Sequence, residues 1–360
     1  MRAMPVRSPL PNDTRSRVAD WLEVIVLTGS RGVATRSEVL GLYDLLGDET
    51  HEVEVDEVTG EGLETEILED QRISIVDEIL EELSHRYNVL GSFYPFSIEV
   101  RGQNWRLVRS QPDGADVLSI AAQCCYIFCL LTSAIRDSRI HGAALGPLER
   151  QMAVHFQELA SDAAAQVING VSVSFGWPRK EGTQFKPALH AVSQQMKLGI
   201  PLDTIPLWAS GKEKDSGIDV IAWRDFRDAR PGKIVLFGQV ASGNNWTDKA
   251  VTADTPRFLA WFSQHPTKYF IPAIFIPFPQ HHECAGRASS AFEDVAAAQA
   301  WMREQEFGLV IDRLRIVEAV AKQLTDAAAA GANGATTAHT TLDAVNTWIN
   351  SALTVARAAA

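Results

Sequence analysis

Two apolar runs on either side of a polar segment constrain the fold of this chain more than any other feature. Residues 217–223 read GIDVIAW and residues 233–241 read KIVLFGQVA, and residues 224–232 between them are mainly polar. This pattern predicts a β-hairpin. With the turn centred near Ala229, Asp219 lies opposite Gln239, and the two side chains share one face of the ladder.

Asp219 is a carboxylate among side chains that are almost all apolar. A buried charge is costly unless it has a partner, so such a residue is either paired with an arginine or part of a functional site. Gln239 alone would be an ordinary buried amide, and only its register with Asp219 makes it a candidate. Both interpretations of Asp219 stay open on these residues.

The order of elements around this hairpin resembles a known superfamily. A helix with a glutamate, a strand with aspartate in a G-x-D-h-h-h setting (h is apolar), a turn and a strand ending in (D/E/Q)-x-K form the pattern of PD-(D/E)XK nucleases. Residues 148–277 resemble these restriction-endonuclease-like proteins, which include the Mrr-type enzymes. The resemblance implies an α/β fold with a central mixed sheet flanked by helices.

The resemblance also implies roles for individual residues. Asp219 matches the metal-binding aspartate, Gln239 the second ligand and Glu158 the helix glutamate, and the backbone carbonyl of Val240 is a further expected ligand. Oxygen ligands suit Mg²⁺ or Mn²⁺, which polarises a scissile phosphate and lowers the pKa of an attacking water. The implied activity is that of a metal-dependent endonuclease acting on nucleic acid.

Double-stranded DNA is the expected substrate, with RNA as the alternative. A homodimer is expected because cutting two strands needs two sites. A role in restriction or antiviral defence is implied by the resemblance alone.

Two positions depart from the family pattern. Gln239 replaces an acid, although an amide oxygen can still bind a hard cation. Ala241 stands where the family has a lysine that stabilises negative charge on the phosphate. Lys249 is the candidate for a displaced catalytic lysine, because it follows the strand end, and Lys233 and Lys214 are less favoured. Without such a lysine, the alternative is a catalytically silent nuclease-like module that binds nucleic acid or a protein partner.

The N-terminal region begins with helices predicted at residues 19–27 and 37–46, the second preceded by the capping pair Thr35 and Glu38. Two helices joined by a turn resemble part of a winged-helix unit. The second helix has no lysine or arginine to meet phosphate, so a packing role is favoured over nucleic-acid binding. Two strands are predicted around Gly102.

Most of the formal net charge of −12 lies in one segment. Residues 48–82 contain fifteen Asp and Glu but one Arg, and the rest of the chain is close to neutral. The acidic total therefore does not exclude a nucleic-acid partner. We expect residues 48–70 to form an exposed loop or an edge hairpin, and the N-terminal domain to be the surface for any protein partner.

Three regions are expected along the chain. They are a mainly helical α+β domain at residues 1–145, the nuclease-like α/β domain at 146–325, and a low-complexity linker with a C-terminal helix at 326–360. Within the second region, a short helix is predicted at 257–264 and a long helix at 292–324.

The longest apolar run, residues 117–135, contains several polar side chains and is expected to be a buried helix rather than a membrane span. Cys124 and Cys125 lie next to each other in this run, which suits a reducing compartment. No signal-peptide pattern is present at the start of the sequence. These features predict a cytoplasmic protein without a membrane segment.

Overall fold

The computed structural model describes residues 6–10, 13–48, 61–110, 116–141, 145–179, 182–209, 212–228, 230–243, 245–280, 301–329 and 337–358. The helices are α1 (Arg15–Thr28), α2 (Arg36–Asp48), α3 (Glu61–Leu90), α4 (Val117–Arg136), α5 (Gly146–Val167), α6 (Phe185–Met196), α7 (Val251–Leu259), α8 (Arg313–Ala329) and α9 (Thr337–Ala358). The strands are β1 (Val33–Thr35), β2 (Phe96–Arg101), β3 (Asn104–Arg109), β4 (Val171–Ser174), β5 (Ile200–Pro201), β6 (Val220–Arg224), β7 (Ile234–Val240), β8 (Phe262–Gln264), β9 (Ile271–Phe275) and β10 (Leu309–Ile311). The fold is α/β, as predicted.

The largest sheet is mixed and has the strand order β10-β9-β7-β6-β4. Strands β4, β6 and β7 are antiparallel, whereas β7, β9 and β10 are parallel. The predicted hairpin is β6–β7, and it pairs Val220 with Gly238 and Trp223 with Val235. This register is the one predicted from the turn position, so Asp219 and Gln239 lie opposite each other at the end of the ladder.

Helices cover both faces of this sheet because successive residues of β6 and β7 alternate between two apolar clusters. Val220 and Leu236 pack into a cluster with α4, α5, α8 and α9. Ile221 and Phe237 pack into a second cluster with α6 and α7. Strands buried on both faces have nearly continuous apolar sequences, which explains why a polar residue in this hairpin is conspicuous.

Helix α5 is enclosed along most of its length. Pro147 lies in its first turn, where a missing N–H disrupts no helical hydrogen bond. None of the residues from 152 to 166 is exposed, because α5 packs on β4, β6 and β7 and also on α8 and α9. The polar side chains of Gln157, Ser161 and Asp162 are therefore buried and must meet polar partners or a cavity.

The N-terminal elements follow the order α1, β1, α2, α3, β2 and β3, with an antiparallel sheet in the order β1-β3-β2. This order resembles that of a winged-helix unit. Strands β2 and β3 join at Gly102, whose φ of +62° suits glycine. The Glu38 carboxylate accepts hydrogen bonds from the N–H and the hydroxyl of Thr35, as the capping pair predicts. The arrangement alone does not imply nucleic-acid binding.

Two arginines with no exposed surface, Arg86 and Arg313, connect the N-terminal unit to the largest sheet. Arg86 on α3 donates hydrogen bonds to Asp20 at 2.7 Å, Glu23 at 2.9 Å and Glu82 at 2.7 Å. Arg313 at the start of α8 donates to both carboxylate oxygens of Asp20, at 2.8 and 2.7 Å. Buried charges are stable only with partners of this kind, because removing each ion from water costs several kcal/mol.

The same network reaches the end of β9. Arg313 Nε donates to the backbone carbonyl of Pro277 at 2.8 Å. Burial raises the pKa of Asp20, but Arg313 and Arg86 outweigh this effect and hold the pKa below its ordinary value. Burial raises the pKa of Glu23, which accepts hydrogen bonds from the hydroxyls of Tyr94 at 2.6 Å and Tyr126 at 2.9 Å.

Helices α1, α4, α5, α8 and α9 contribute to one continuous apolar cluster. Parts of the predicted regions 1–145 and 326–360 thus pack on the region 146–325. The division into three regions itself stays a prediction.

Two predicted helices of the nuclease-like region differ in extent from the structure. Residues 257–264 contain the end of α7 and then β8, which pairs with β5. Within residues 292–324, residues 301–307 and α8 from Arg313 onward are helical as predicted, but Leu309–Ile311 between them forms β10, and residues 292–300 lie outside the described residues. Gly308 has a φ of +78° and precedes this short strand, which is too brief to be detected from periodicity.

The acidic segment is also different from its prediction. From Glu61 onward it belongs to α3 rather than to a loop or hairpin, and residues 49–60 lie outside the described residues. Glutamate is a good helix former, so a high density of acidic residues is compatible with a solvated helix.

Helix α4 is the one helix in the described part of the chain that is long and apolar enough to cross a membrane. Because 78% of its most apolar window is buried against other parts of the protein, it is a core helix in this structure, as predicted. Cys124, Cys125 and Cys129 on this helix are free thiols.

We predict that Arg313→Leu lowers the free energy of unfolding by about 3–5 kcal/mol, because it leaves the Asp20 carboxylate buried without its bidentate partner. The control is Lys322→Ala on the same helix, since the exposed pair of Lys322 with Asp326 is worth only about 0.3–0.5 kcal/mol. Urea unfolding measures both values. Equal losses in the two variants would contradict a structural role for the buried network.

Candidate active site

The candidate residues gather at one edge of the largest sheet, where β7 and β9 end and β6 begins. Asp219 immediately precedes β6, and its N–H donates to the Gly238 carbonyl at 2.9 Å. The Asp219 carbonyl accepts from the N–H groups of Phe175 at 2.7 Å and Gly176 at 2.8 Å, just after β4. The backbone of Asp219 therefore connects the ends of β4, β6 and β7, and these hydrogen bonds fix the position from which its side chain extends.

The Asp219 carboxylate has one oxygen bound and one open to the site. Its Oδ2 accepts the Val240 N–H at 2.8 Å. Burial raises the pKa of Asp219 to about 7; the Val240 hydrogen bond and Lys249 lower it, while Asp215 and Asp254 raise it. Acids with a strongly raised pKa are typical of functional sites, because catalytic groups need pKa values that match their task.

Gln239 faces the same site with an unused acceptor. Its side chain is 5% exposed, and its Nε2 donates to Asp254 Oδ2 on α7 at 2.6 Å. Because the Asp254 carboxylate is an acceptor, the end of the Gln239 amide that faces it must be the nitrogen. The remaining atom, Oε1, is buried and has no hydrogen-bond partner. A buried acceptor without a donor is uncommon in folded proteins and indicates a ligand or water position.

Gln157 and Gly176 also belong to this site, although the sequence pattern did not predict them. A Cβ on Gly176 would lie 2.3 Å from Asp219 Oδ1 and 2.5 Å from Gln157 Oε1, so both oxygens face the space that the missing side chain leaves. Gln157 also donates from Nε2 to the Ser174 hydroxyl at 2.6 Å, which turns its oxygen toward Gly176. The glycine preserves a small gap lined by oxygen atoms.

The residue of α5 that contacts the Gly176 gap beside Asp219 is Gln157, next to the predicted Glu158. Glu158 lies 3.7 Å from His155 Nδ1, lines one cavity together with Phe175 and Arg179, and also lines a cleft beside β4. Neighbouring helix residues point about 100° apart, and a role for Glu158 as a metal ligand stays a prediction. The motif match alone could not distinguish the two positions.

Val240 contributes its N–H to Asp219, and ligation by its carbonyl stays a prediction. Ala241 at the family lysine position is fully buried, and its N–H donates to the Phe275 carbonyl at 2.9 Å. Lys233 pairs with Asp225 at the turn end of the hairpin, away from the site. Ala241 and Lys233 therefore supply no cation at Asp219.

Two cations lie near Asp219. Lys249 follows a 3-10 turn, Trp246–Asp248, whose Trp246 is buried against Phe307 with ring centroids 5.3 Å apart. Its charge lowers the pKa of Asp219, and its role as a displaced catalytic lysine stays a prediction. Arg179 lies over the Phe175 ring at 4.7 Å, and its Nε is a buried donor without a partner.

The site offers oxygen donors of the kind that Mg²⁺ and Mn²⁺ prefer. Asp219 Oδ1 and the amide oxygens of Gln239 and Gln157 are suitable hard ligands, and the unpartnered Gln239 Oε1 fits this use. Within the described ranges, no group of three or more His, Cys, Asp and Glu side chains is arranged to hold a metal ion. These oxygen donors thus fit a divalent cation. Only one of them, Asp219, carries a negative charge, so weak binding of the cation is expected.

No protein-family model, no curated protein and no solved structure matches this chain. The similarity to PD-(D/E)XK nucleases consequently depends on the arrangement around Asp219 and Gln239. An α/β fold with a mixed sheet supports many unrelated activities, so the function has to be inferred from the site.

We predict that Asp219→Asn stabilises the protein in EDTA, and more so at pH 8 than at pH 5. Because the folded-state pKa of about 7 exceeds the ordinary value, the unfolded chain releases this proton near pH 4 and the folded protein only near pH 7, so the folded state loses stability as the pH rises between these values, and the cost persists at pH 8. Asparagine removes this cost and keeps an acceptor for the Val240 N–H.

Melting temperatures at the two pH values measure this effect. The control Asp228→Asn changes an exposed carboxylate of the hairpin turn and should behave like the wild type. A melting temperature of Asp219→Asn below the wild type at pH 8 would show that the ionised carboxylate is structural.

Proposed function

We propose that this protein is a metal-dependent nuclease that hydrolyses phosphodiester bonds at the site formed by Asp219, Gln239, Gln157 and Lys249. The observation that carries the proposal is the pairing of Asp219 with Gln239, whose buried Oε1 has no partner. A purely structural amide would be expected to satisfy both of its ends.

The order of elements supports a restriction-endonuclease-like fold. Helix α5, the β6–β7 hairpin, α7 and β9 follow one another in the order that the resemblance implies, and helices flank both faces of a mixed sheet. The site lies at the carboxyl ends of β7 and β9, where ligands commonly bind to α/β sheets.

The proposed chemistry is the attack of water on a phosphodiester, with departure of one bridging oxygen. A bound Mg²⁺ or Mn²⁺ would polarise the phosphate and lower the pKa of the attacking water. The oxygens of Asp219, Gln239 and Gln157 would hold this ion, and its charge would keep Asp219 ionised despite burial.

Lys249 supplies the positive charge that Ala241 lacks. Its ammonium group would stabilise negative charge that develops on the phosphate, which typically contributes a factor of about 10²–10³ in rate. Arg179, with its unpartnered Nε, is a second donor for a phosphate oxygen.

Double-stranded DNA is the proposed substrate, in a homodimer that cuts both strands, with a role in restriction or antiviral defence. The acidic net charge lies mostly in residues 48–82, which leaves the region around Lys249 and Arg179 free to meet a phosphate backbone.

We predict that the purified full-length protein cleaves plasmid DNA with Mg²⁺ or Mn²⁺ but not with EDTA, and single-stranded RNA is assayed in parallel. Asp219→Asn should abolish cleavage, and Lys249→Ala should lower the rate about 100-fold or more. Lys268→Ala, at an exposed lysine, is the control and should retain wild-type activity. Full activity in Asp219→Asn would refute the proposal.

Absence of cleavage by the wild type under all these conditions would favour the silent nuclease-like module, which the buried Ala241 already makes the main alternative. Binding of labelled DNA or RNA, measured by fluorescence anisotropy, would then identify the nucleic acid that the module holds.

A second prediction concerns the glycine in the site. Gly176→Ala should abolish cleavage while the fold is retained, because the new Cβ would occupy the gap between Asp219 Oδ1 and Gln157 Oε1. Gly232→Ala is the control, since a Cβ there meets no atom within 4 Å. Circular dichroism checks folding, and equal activity of the two variants would contradict a role for this gap.

A further inference from the structure

A polar cleft of about 490 Å³ lies beside β4, on the other side of α5 from the apolar core. Besides Ser174, which accepts a hydrogen bond from Gln157, its polar lining side chains are those of Glu158, Ser161, Asp162, Ser172, Gln323 and Thr341. They come from α5, β4, α8 and α9, so four elements converge on the cleft. None of these groups is needed for the chemistry proposed at Asp219.

The cleft contains acceptors that no protein group satisfies. Asp162 is 8% exposed, and its Oδ2 has no hydrogen-bond partner; Gln323 Oε1 is buried and also lacks one. Burial raises the pKa of Asp162 to about 7, while a hydrogen bond from Thr341 lowers it and the nearby Glu158 raises it. The chain therefore keeps a carboxyl group in a place where the group is poorly accommodated without a ligand.

The hydroxyl groups of Ser161 and Ser172 do not supply the missing donors. Ser161 Oγ donates to Ser172 Oγ at 2.9 Å, and Ser172 Oγ donates to the Ser161 carbonyl at 2.7 Å. Both protons are thus used within the wall. The buried groups that remain without a partner are the acceptors Asp162 Oδ2 and Gln323 Oε1, and the ionised Asp162 carries negative charge, so the complementary ligand is a cation with several N–H donors.

The size of the cleft favours an organic cation over a metal ion. Its volume of about 490 Å³ is within the range of small-molecule sites. No cluster of three acids, histidines or cysteines surrounds a single point in the described part of the chain, as a tightly held metal would require. We propose that this cleft binds an alkylammonium or guanidinium group, which donates hydrogen bonds to Asp162 and Gln323.

Isothermal titration calorimetry on the full-length protein tests the proposal. The probes are putrescine, as a free diamine, and Nα-acetyl-lysine methylamide, as a lysine side chain of a protein; MgCl₂ is titrated separately. Saturable binding of either amine is expected, and the two arms distinguish a small-molecule ligand from a partner's lysine.

The variant Asp162→Asn removes the charge but keeps the shape, and it should weaken amine binding about tenfold or more. Gln323→Leu should weaken it as well, since it removes the second acceptor. Glu149→Gln, at an exposed carboxylate in the first turn of α5, is the matched control and should change affinity less than about twofold. Melting temperatures verify that each variant is folded.

Three results would overturn the proposal. They are the absence of saturable binding by both amines, unchanged affinity in Asp162→Asn, and Mg²⁺ binding that depends on Asp162 and that the amines do not displace. Because these readouts do not use nuclease activity, they hold whether or not the protein cleaves nucleic acid.

Discussion

The pairing of Arg86 and Arg313 with the Asp20 carboxylate is the constraint on which the arrangement of the whole chain depends. Neither guanidinium group touches water, so each must keep all of its partners or the folded state loses several kcal/mol. The arginines lie on α3 and α8, and their partners come from α1, α3, α4 and the segment after β9. This requirement fixes the N-terminal unit against the edge of the sheet at which β9 ends, and that edge also carries the candidate active site.

The site itself combines groups that would each be unfavourable in an inert core. Asp219 is held in a poorly solvated position by its backbone, Gln239 keeps an unsatisfied oxygen, and Gly176 leaves a gap between two further oxygens. Local violations of packing and hydrogen-bonding rules are expected where function requires them. Their coincidence at one sheet edge distinguishes this region from the buried ionic network, in which most of the charged groups are paired.

The sequence predicted what depends on local periodicity and register. The turn near Ala229 fixed the pairing of Asp219 with Gln239, because antiparallel pairing follows from turn position alone. Gln157 and Asp254 were missed because their approach depends on how α5 and α7 pack on the sheet, which no spacing in the chain encodes. The strand β10 was missed for a related reason: three residues gain their extended form by pairing with β9 rather than from their own propensity.

Helix α5 has a mechanical consequence. Gln157 faces the Asp219 site, Glu158 and Asp162 face the cleft beside β4, and residues 152 to 166 are all buried or half-buried. An enclosed helix behaves as a stiff rod, because its neighbours on every side resist rotation. A small rotation or translation of α5 that adapts the cleft to a ligand must also displace the oxygen of Gln157 at the Asp219 site. The cleft and the Asp219 site are therefore mechanically coupled through α5.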